Sequence, residues 1–359
     1  MDQARSARAG GAAASCGTVS RFAIDARAAV RPELGGVERW ARELVALLPG
    51  IAPGDYVVLR PPRALAHRAG HAWEQAVLPV RARRFDALLC PANLAPVAAP
   101  DTVVILHDAA PLRHPAWYSG AYAAWQRRLL PAIARRARHV VTVSAFSKAE
   151  LVELLGLEPD GVSVVAGGVD AAFHPGADAA RARADLGLAR PYVLCVAAQV
   201  ARKNLGALVP AAQALRAQGV DVVVAGGHRP QFATEAGLDE LRLLGAVPDA
   251  LLPGLYAGAE LFALPSHYEG FGLPVLEAMA AGVPVVAADA TALPETAGGA
   301  ARLVPPDGEA FRDALIALLG DPGERGRLRD AGRRRAAGFT WEATARGVDA
   351  ALRRAVPRP

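Results

Sequence analysis

The sequence is short of cysteine, of lysine and of long apolar runs, and each shortage closes a class of protein. Its three cysteines, Cys16, Cys90 and Cys195, follow no paired spacing and no C-x-x-C. Neither a disulfide framework nor a zinc site is implied. Cys195 lies in an apolar run and reads as a small core residue. No uninterrupted apolar stretch approaches the ~18 residues of a membrane span. The first 20 residues are rich in Ala, Gly, Ser and Arg and lack a leucine-type core. They read as a disordered tail and not as a signal peptide, so a cytoplasmic protein is expected. No G-x-G-x-x-G follows the first strand of either half, which speaks against a dinucleotide-dependent oxidoreductase. No basic and aromatic interleaving points to nucleic acid.

What is present is a large core. Hydrophobic residues make up 52% of 359 positions, more than a disordered chain carries, and the length suggests two domains. Much of that fraction is alanine; with abundant arginine and few lysines this resembles a coding bias, so composition says little about function. The net charge of +5 is unevenly placed: residues 1–175 hold 20 Lys/Arg against 15 Asp/Glu, and residues 176–359 hold 20 against 20. A basic first half suits an anionic partner such as a membrane surface or a phospholipid-linked acceptor, and equally suits a solvated surface.

Short β-branched runs alternate with helical patterns. Phe22–Asp25, Tyr56–Leu59, Ala87–Leu89, Thr102–Leu106, Val140–Val143 and Val162–Val165 read as buried strands. Tyr192–Ala197, Val220–Ala225, Leu261–Leu264, Val283–Ala287 and Ala301–Val304 repeat the rhythm. Strands separated by helices imply parallel sheets covered on both faces. His174-Pro175-Gly176 breaks the pattern between the two series. The expectation is an α/β chain of two doubly wound, Rossmann-like domains facing a central cleft, where ligands bind beyond the carboxyl ends of the strands.

The segment Leu264–Ala287, LPSHYEGFGLPVLEAMAAGVPVVA, carries the chemistry. A strand ends at Leu264-Pro265, a loop with Glu269, Gly270 and Gly272 follows, and Pro274 suits the opening of a helix. Free amides and the positive dipole end make such a helix start a seat for a diphosphate. Glu269 and Glu277 then flank one ligand over the helix end, each able to accept two hydroxyl hydrogen bonds. Taken singly, each glutamate is more often structural, Glu269 as an exposed loop acid and Glu277 as a complement to the helix dipole.

With the string complete from Glu269 through Val286, the sequence resembles the retaining glycosyltransferases of family 4, whose two-domain fold is called GT-B. Their signature is E-G-F-G-L-P-x-L-E-A-M-A-x-G-x-P-V-V. The resemblance implies that Glu269 contacts the donor sugar, Glu277 the ribose hydroxyls, and the backbone at Gly270, Phe271, Gly272 and Leu273 the diphosphate. IDARAAVRPELGGVERWARELV resembles the family's opening strand, glycine loop and helix, with Gly35 and Gly36 facing the donor phosphates. LHDAAPLRHPAWYS resembles its H-D segment, placing His107 near the reacting sugar; alone, a histidine ending a strand is more often structural. VTVSAFSKAELVELLG resembles the last strand and helix of the first domain, with Ser144 as cap.

No acidic cluster suits a metal, so fixed cations are expected to stabilise the departing diphosphate. Arg202 and Lys203 in VAAQVARKNLGALV match the family's R-K-N, and Asn204 is expected to cap the next helix. The family's N-G-V-D reads Gly167-Gly168-Val169-Asp170 here, which loses an Asn side chain near the interdomain linker. The expected organisation is a tail over 1–20, an acceptor-side domain over 21–172, a nucleotide-sugar domain over 173–339, and a C-terminal helix over 340–359 packing back toward the first domain. The implied activity is metal-independent, cofactor-free retaining transfer of a hexose in surface polysaccharide synthesis. The R-K-N and L-P-x-L-Y pattern is similar to mannosyltransferases, so GDP-mannose is the first donor and a UDP-hexose the second. A non-catalytic nucleotide-sugar-binding protein is the alternative. The acceptor is a glycan or a lipid-linked sugar. The stretch Tyr122–Arg138 sets Arg127, Arg128, Arg135, Arg136 and Arg138 among Trp125, Leu129, Leu130 and Ile133, which reads either as a face for anionic lipid or as an ordinary half-buried helix.

Overall fold

A computed structural model describes residues 22–31, 35–62, 70–99, 101–227 and 236–356; the expected tail over 1–20 lies outside them. Twelve strands form two all-parallel sheets among these residues. The first contains β1 (Phe22–Asp25), β2 (Tyr56–Leu59), β3 (Ala87–Cys90), β4 (Thr102–Ile105), β5 (His139–Thr142) and β6 (Val162–Val164), ordered β2-β1-β3-β4-β5-β6. The second contains β7 (Tyr192–Val196), β8 (Asp221–Ala225), β9 (Arg242–Gly245), β10 (Leu261–Leu264), β11 (Val285–Ala288) and β12 (Arg302–Val304), ordered β12-β11-β10-β7-β8-β9. The winding direction reverses between β1 and β3 in the first sheet and between β7 and β10 in the second. In doubly wound sheets these reversals open crevices at the strands' carboxyl ends, and both crevices contribute to one site here.

Side chains alternate between the two faces of a sheet, and because helices cover both faces the inner strands are largely apolar on each. In β1, Ala23 joins one cluster with Leu88, Val104, Leu130 and Ile133, while Phe22 and Ile24 join the opposite one with Trp40, Leu44, Val103 and Ile105. The helices that matter for the site are α1 (Gly36–Ile51), α2 (Gly120–Arg136), α3 (Ala145–Leu155), α4 (Leu273–Ala280) and α5 (Trp341–Ala355). In α2, Leu130, Ile133 and Ala134 are buried against the sheet and Ala123 packs with Ala110, Tyr118 and Tyr268, while Arg127, Arg128, Arg135 and Arg136, and Arg138 just beyond the helix, are exposed. Leu130 and Ile133, counted above toward a lipid face, are thus turned inward.

Strand β9 escaped the sequence reading. It sits at the sheet edge with Leu243 40% exposed and pairs with β8 through a register shift at Val224/Ala225. Two leucines between an arginine and a glycine are too short a run to show periodicity.

Helix α5 follows the second domain in sequence but packs on the first. Thr340 caps it, its hydroxyl accepting from the Ala343 amide at 3.1 Å. Trp341, Ala345, Val348, Ala351 and Leu352, at helical spacing, complete the cluster of Phe22, Trp40, Leu44 and Leu48. Trp341 meets Trp40 edge-on at 5.7 Å. The Tyr56 hydroxyl donates to Asp349 at 2.6 Å, and Arg353 pairs with Asp55 at 2.5 Å. The outgoing and returning crossovers touch: the Val169 amide donates to the Phe339 carbonyl at 3.0 Å. A Cβ on Gly168 would lie 2.2 Å from the Trp341 nitrogen, and one on Gly167 2.9 Å from Trp40 Nε1. That second contact explains the departure from N-G-V-D, because Trp40 occupies the space an Asn side chain needs.

Replacing Trp341 by alanine is expected to lower unfolding stability by about 3–5 kcal/mol, read from urea denaturation. A loss below about 1 kcal/mol would show that α5 is not integral to the first domain's core.

Candidate active site

The site is assembled from the carboxyl ends of β7 and β10 on one side and of β1, β3 and β4 on the other. After β7 the chain makes a short turn, Ala201–Lys203, and Asn204 adopts a left-handed conformation (φ 53°). Asn204 does not cap the following helix as expected: its side-chain amide donates to the Pro265 carbonyl at 3.0 Å and the Pro306 carbonyl at 2.8 Å. A residue with αL backbone lacks the extended geometry of an N-cap, and here it ties the cationic turn to the β10 loop instead.

That loop supplies Glu269. Its Oε1 accepts from Lys203 Nζ at 2.5 Å and from the Ser266 hydroxyl at 2.7 Å. Its Oε2 lies 3.5 Å from Arg202 Nη1, which also donates to the Tyr268 carbonyl at 3.1 Å. Burial alone would raise the Glu269 carboxyl, but Lys203, Arg202 and the Ser266 hydroxyl hold it below its ordinary value. Burial lowers Lys203 against the opposing pull of Glu269. The structure therefore brings Arg202, Lys203 and Glu269 into one water-poor cluster.

Gly272, with φ 101°, caps α4 without a side chain, so no side-chain hydrogen bond caps the first amides of the helix. A Cβ there would meet Leu293 at 2.7 Å. Glu277 is also buried, but its oxygens are both engaged: one pairs with Arg39 of α1 and the other accepts from the Tyr256 hydroxyl at 2.7 Å. Burial raises its carboxyl above the ordinary value, with Arg39 and Tyr256 opposing. Neither Arg39 nor Tyr256 stood out in the sequence. Arg39 sits in an ordinary amphipathic helix, and only the fold brings α1 to α4.

His107 lies two residues beyond β4. Its amide donates to Asn93 Oδ1 at 2.7 Å, and its Nε2 lies 3.1 Å from the Pro91 carbonyl. A carbonyl only accepts, so Nε2 carries the proton and Nδ1 is left as acceptor. Burial lowers its pKa, keeping the imidazole neutral. Gly270 presses on this segment, where a Cβ would lie 2.3 Å from the His107 carbonyl oxygen. The Ser144 and Ser147 hydroxyls donate to the Gly270 carbonyl at 2.6 and 2.9 Å. Glu295 of the second domain caps α3 at the Ala145 and Phe146 amides, 2.9 and 3.2 Å away. His107 and the Glu269 loop thus meet across the cleft. Gly35 and Gly36 lie at the start of α1, where the Gly35 amide donates to Glu38 Oε2 at 3.1 Å and Gly36 is exposed. The Gly35 donor expected for a phosphate is held by Glu38 in this arrangement. Among the described residues no group of three or more His, Cys, Asp or Glu is placed to hold a metal. No helix of the described residues is long and apolar enough to cross a membrane.

Two six-stranded parallel sheets facing a cleft that holds this cluster define a GT-B fold, and solved structures agree. Sucrose-phosphate synthase from Thermosynechococcus elongatus superposes with a TM-score of 0.74 at 23% identity, over 93% of this chain and 98% of that one. Anabaena HepE in complex with UDP and glucose gives 0.69 at 18% identity, over 93% and 99%. Residues 190–321 match the family model for glycosyl transferases group 1, and residues 50–173 that for glycosyltransferase family 4. The chain is 38% identical over 239 residues to a D-inositol 3-phosphate glycosyltransferase of Nocardia farcinica, 60% of this chain and 52% of the relative. It is 34% identical to an MMP α-(1→4)-mannosyltransferase of Mycolicibacterium hassiacum, over 67% of this chain and 59% of the relative. To an O-antigen chain mannosyltransferase B of Escherichia coli it is 32% identical over 67% of each. The chain thus spans from about half to two thirds of these curated relatives. It belongs to glycosyltransferase family 4.

Replacing Glu269 by glutamine leaves Lys203 and Arg202 buried without their carboxylate. The expected loss is about 3–5 kcal/mol at pH 7, read by urea unfolding. Because the folded-state pKa of Glu269 lies below its ordinary 4.5, its contribution is complete above that value and disappears as pH falls through the depressed one. The gap between wild type and variant should therefore close only in that acidic window. A gap already closed at neutral pH would contradict the assignment.

Proposed function

We propose that this chain is a retaining, metal-independent glycosyltransferase that moves a hexose from a nucleotide sugar to a glycan or lipid-linked acceptor in surface polysaccharide synthesis. The observation that carries the reading is the Arg202–Lys203–Glu269 cluster beside the start of α4, whose first amides no side chain caps. Two fixed cations and a helix end converge where a leaving diphosphate would gather charge. In the free chain Lys203 answers Glu269; the donor's diphosphate takes over part of that role, leaving Glu269 to accept sugar hydroxyls. Glu277, released in part from Arg39, accepts from the ribose. The anomeric C–O bond to the diphosphate breaks with oxocarbenium character while the acceptor oxygen bonds to the same face. The acceptor's proton passes to the departing phosphate oxygen. His107, neutral, presents Nδ1 as a hydrogen-bond acceptor toward the reacting sugar. Contact of the two domains at Gly270 excludes water that would otherwise hydrolyse the donor.

Mannose from GDP-mannose is the first donor, supported by the names of two relatives. A UDP-hexose is the second, supported by the UDP and glucose of a structural neighbour. A cytoplasmic location, with peripheral contact at an anionic membrane face, rests on the exposed arginines of α2.

A thermal-shift series with GDP, UDP, ADP, dTDP and their sugars tests the reading. A ligand at 100 times its dissociation constant adds about 2.7 kcal/mol of stability, and one nucleotide is expected to stand out. Lys203→Ala is expected to cut turnover about 10²–10³-fold. No shift with any nucleotide, or near-normal turnover in Lys203→Ala, would refute it. A shift without turnover on any acceptor would favour the non-catalytic alternative.

A further inference from the structure

Glu269 is held from both sides by one helix of the other domain. Tyr268, just before it, is buried. Its ring meets Phe146 edge-on at 5.4 Å, and its hydroxyl donates to Glu150 Oε2 at 3.4 Å. Gly270, just after it, offers its carbonyl to the Ser144 and Ser147 hydroxyls. Ser144 is the cap of α3, and Phe146, Ser147 and Glu150 lie in its first two turns. The Ser147 proton is shared, because the same oxygen lies 3.1 Å from the His107 carbonyl. One hydroxyl therefore ties the loop that carries Glu269 to the segment that carries His107. Gly270 lets the two come this close, since a Cβ there would also lie 3.1 Å from Asp108 Cβ.

The second domain grips the same turn of α3 from its own side. A helix leaves its first amides without intrahelical partners. In α3 the Ser147 amide is taken within the domain by the Ser144 hydroxyl at 3.0 Å, while the Ala145 and Phe146 amides are both taken by Glu295. A carboxylate at that end also meets the positive end of the helix dipole. Glu295 stands on the short helix Leu293–Ala297, which is itself fastened. Arg335 donates to the Glu295 and Thr296 carbonyls at 2.7 and 3.0 Å, and the Thr296 hydroxyl donates to the Phe271 carbonyl. The Glu295 segment and the Glu269 loop are thus joined to each other, and both end on α3. The serines are buried and Glu295 is exposed, so the joint has a dry inner side at Gly270 and a wet outer side at Glu295.

We propose that the first turn of α3 is a clasp that sets the distance between the Glu269 loop and His107, with Ser147 and Glu295 as positioning residues for the transfer. Ser147 acts through the carbonyls of Gly270 and His107, and Glu295 through the amides of α3. The proposal rests on the glycosyl-transfer reading for what is positioned, but the clasp itself is a property of the unliganded chain. Arg202, Lys203, Glu277 and the start of α4 all belong to the second domain, so loosening the clasp spares nucleotide binding and lowers turnover. A misplacement of about 1 Å between reacting groups costs on the order of 10²-fold in rate.

The test follows amide hydrogen exchange at Ala145, Phe146 and Ser147 in the full, unliganded chain. Glu295→Ala is expected to speed exchange at Ala145 and Phe146 about tenfold, with Ser147 unchanged because its partner is Ser144. Glu295→Gln, which keeps one acceptor oxygen, is expected to restore part of the protection. Release of nucleoside diphosphate from GDP-mannose and from UDP-glucose gives the second readout. In Glu295→Ala and Ser147→Ala, kcat is expected to fall about 10- to 100-fold with the donor KM within about twofold of wild type. Nucleotide-induced thermal shifts are expected to stay as in the wild type. The proposal is overturned if the Ala145 and Phe146 amides exchange no faster in Glu295→Ala. It is equally overturned if both variants turn over normally, or if the loss lies in KM with kcat intact. A wild-type chain that shifts with no nucleotide and turns over neither donor sinks the transfer reading, and exchange at these amides then decides the clasp by itself.

Discussion

One buried carboxylate sets the order of this site. Glu269 answers Lys203 and Arg202 at once, and removing it leaves two cations where little water can compensate them. Lys203 and Arg202 come from the turn after β7, Glu269 from the loop after β10, and these two strands are neighbours across the sheet's reversal point. The ion cluster therefore pins together the two loops that a ligand must approach. Asn204, bonded to the Pro265 and Pro306 carbonyls, fixes the same turn from behind. Preorganisation of this kind means that little reorientation remains when a negative ligand arrives.

Several of the first domain's contacts with the loops around this cluster are polar. Gly270 offers its carbonyl to Ser144 and Ser147, Glu277 engages Arg39, and Glu295 caps α3. Each couples an element near the reaction site to one across the cleft. Hydrogen-bonded and ionic seams of this sort exchange partners with water and ligand more readily than an apolar interface does. Apolar attachments lie at Tyr268, which packs with Ala110, Tyr118 and Ala123 of the first domain, and behind, where α5 and the crossovers join the domains around Trp40 and Trp341.

The parts of the fold legible in the sequence were those with strong periodicity. The central strands are continuous apolar runs because both of their faces are covered, and eleven of the twelve are found within a residue or two of the expected bounds. The edge strand β9 was invisible because an edge needs little apolar surface. At the site, Glu269, Arg202 and Lys203 were legible because glycine, proline and charge stand at fixed spacing around a strand-to-helix turn. Arg39, Tyr256 and the Ser144–Gly270 contact were not, since each depends on which elements become neighbours, and sequence distance carries no sign of that. Asn204 was misread for a related reason: an asparagine before a helical run suits a cap or a left-handed turn equally, and only its carbonyl partners decide.

The position of α5 has a bearing on how the chain acquires its structure. Trp341, Val348 and Leu352 belong to the same cluster as Phe22 and Trp40, so the first domain lacks part of its own core until the segment that follows the second domain has been made. During synthesis the second domain has all of its own strands available while the first still exposes the face around Trp40. Domains usually mature from the amino end onward. Here the order of completion is inverted, and the earliest-made domain is the last to be sealed. A nascent chain stalled before Trp341 would present that uncovered face to chaperones.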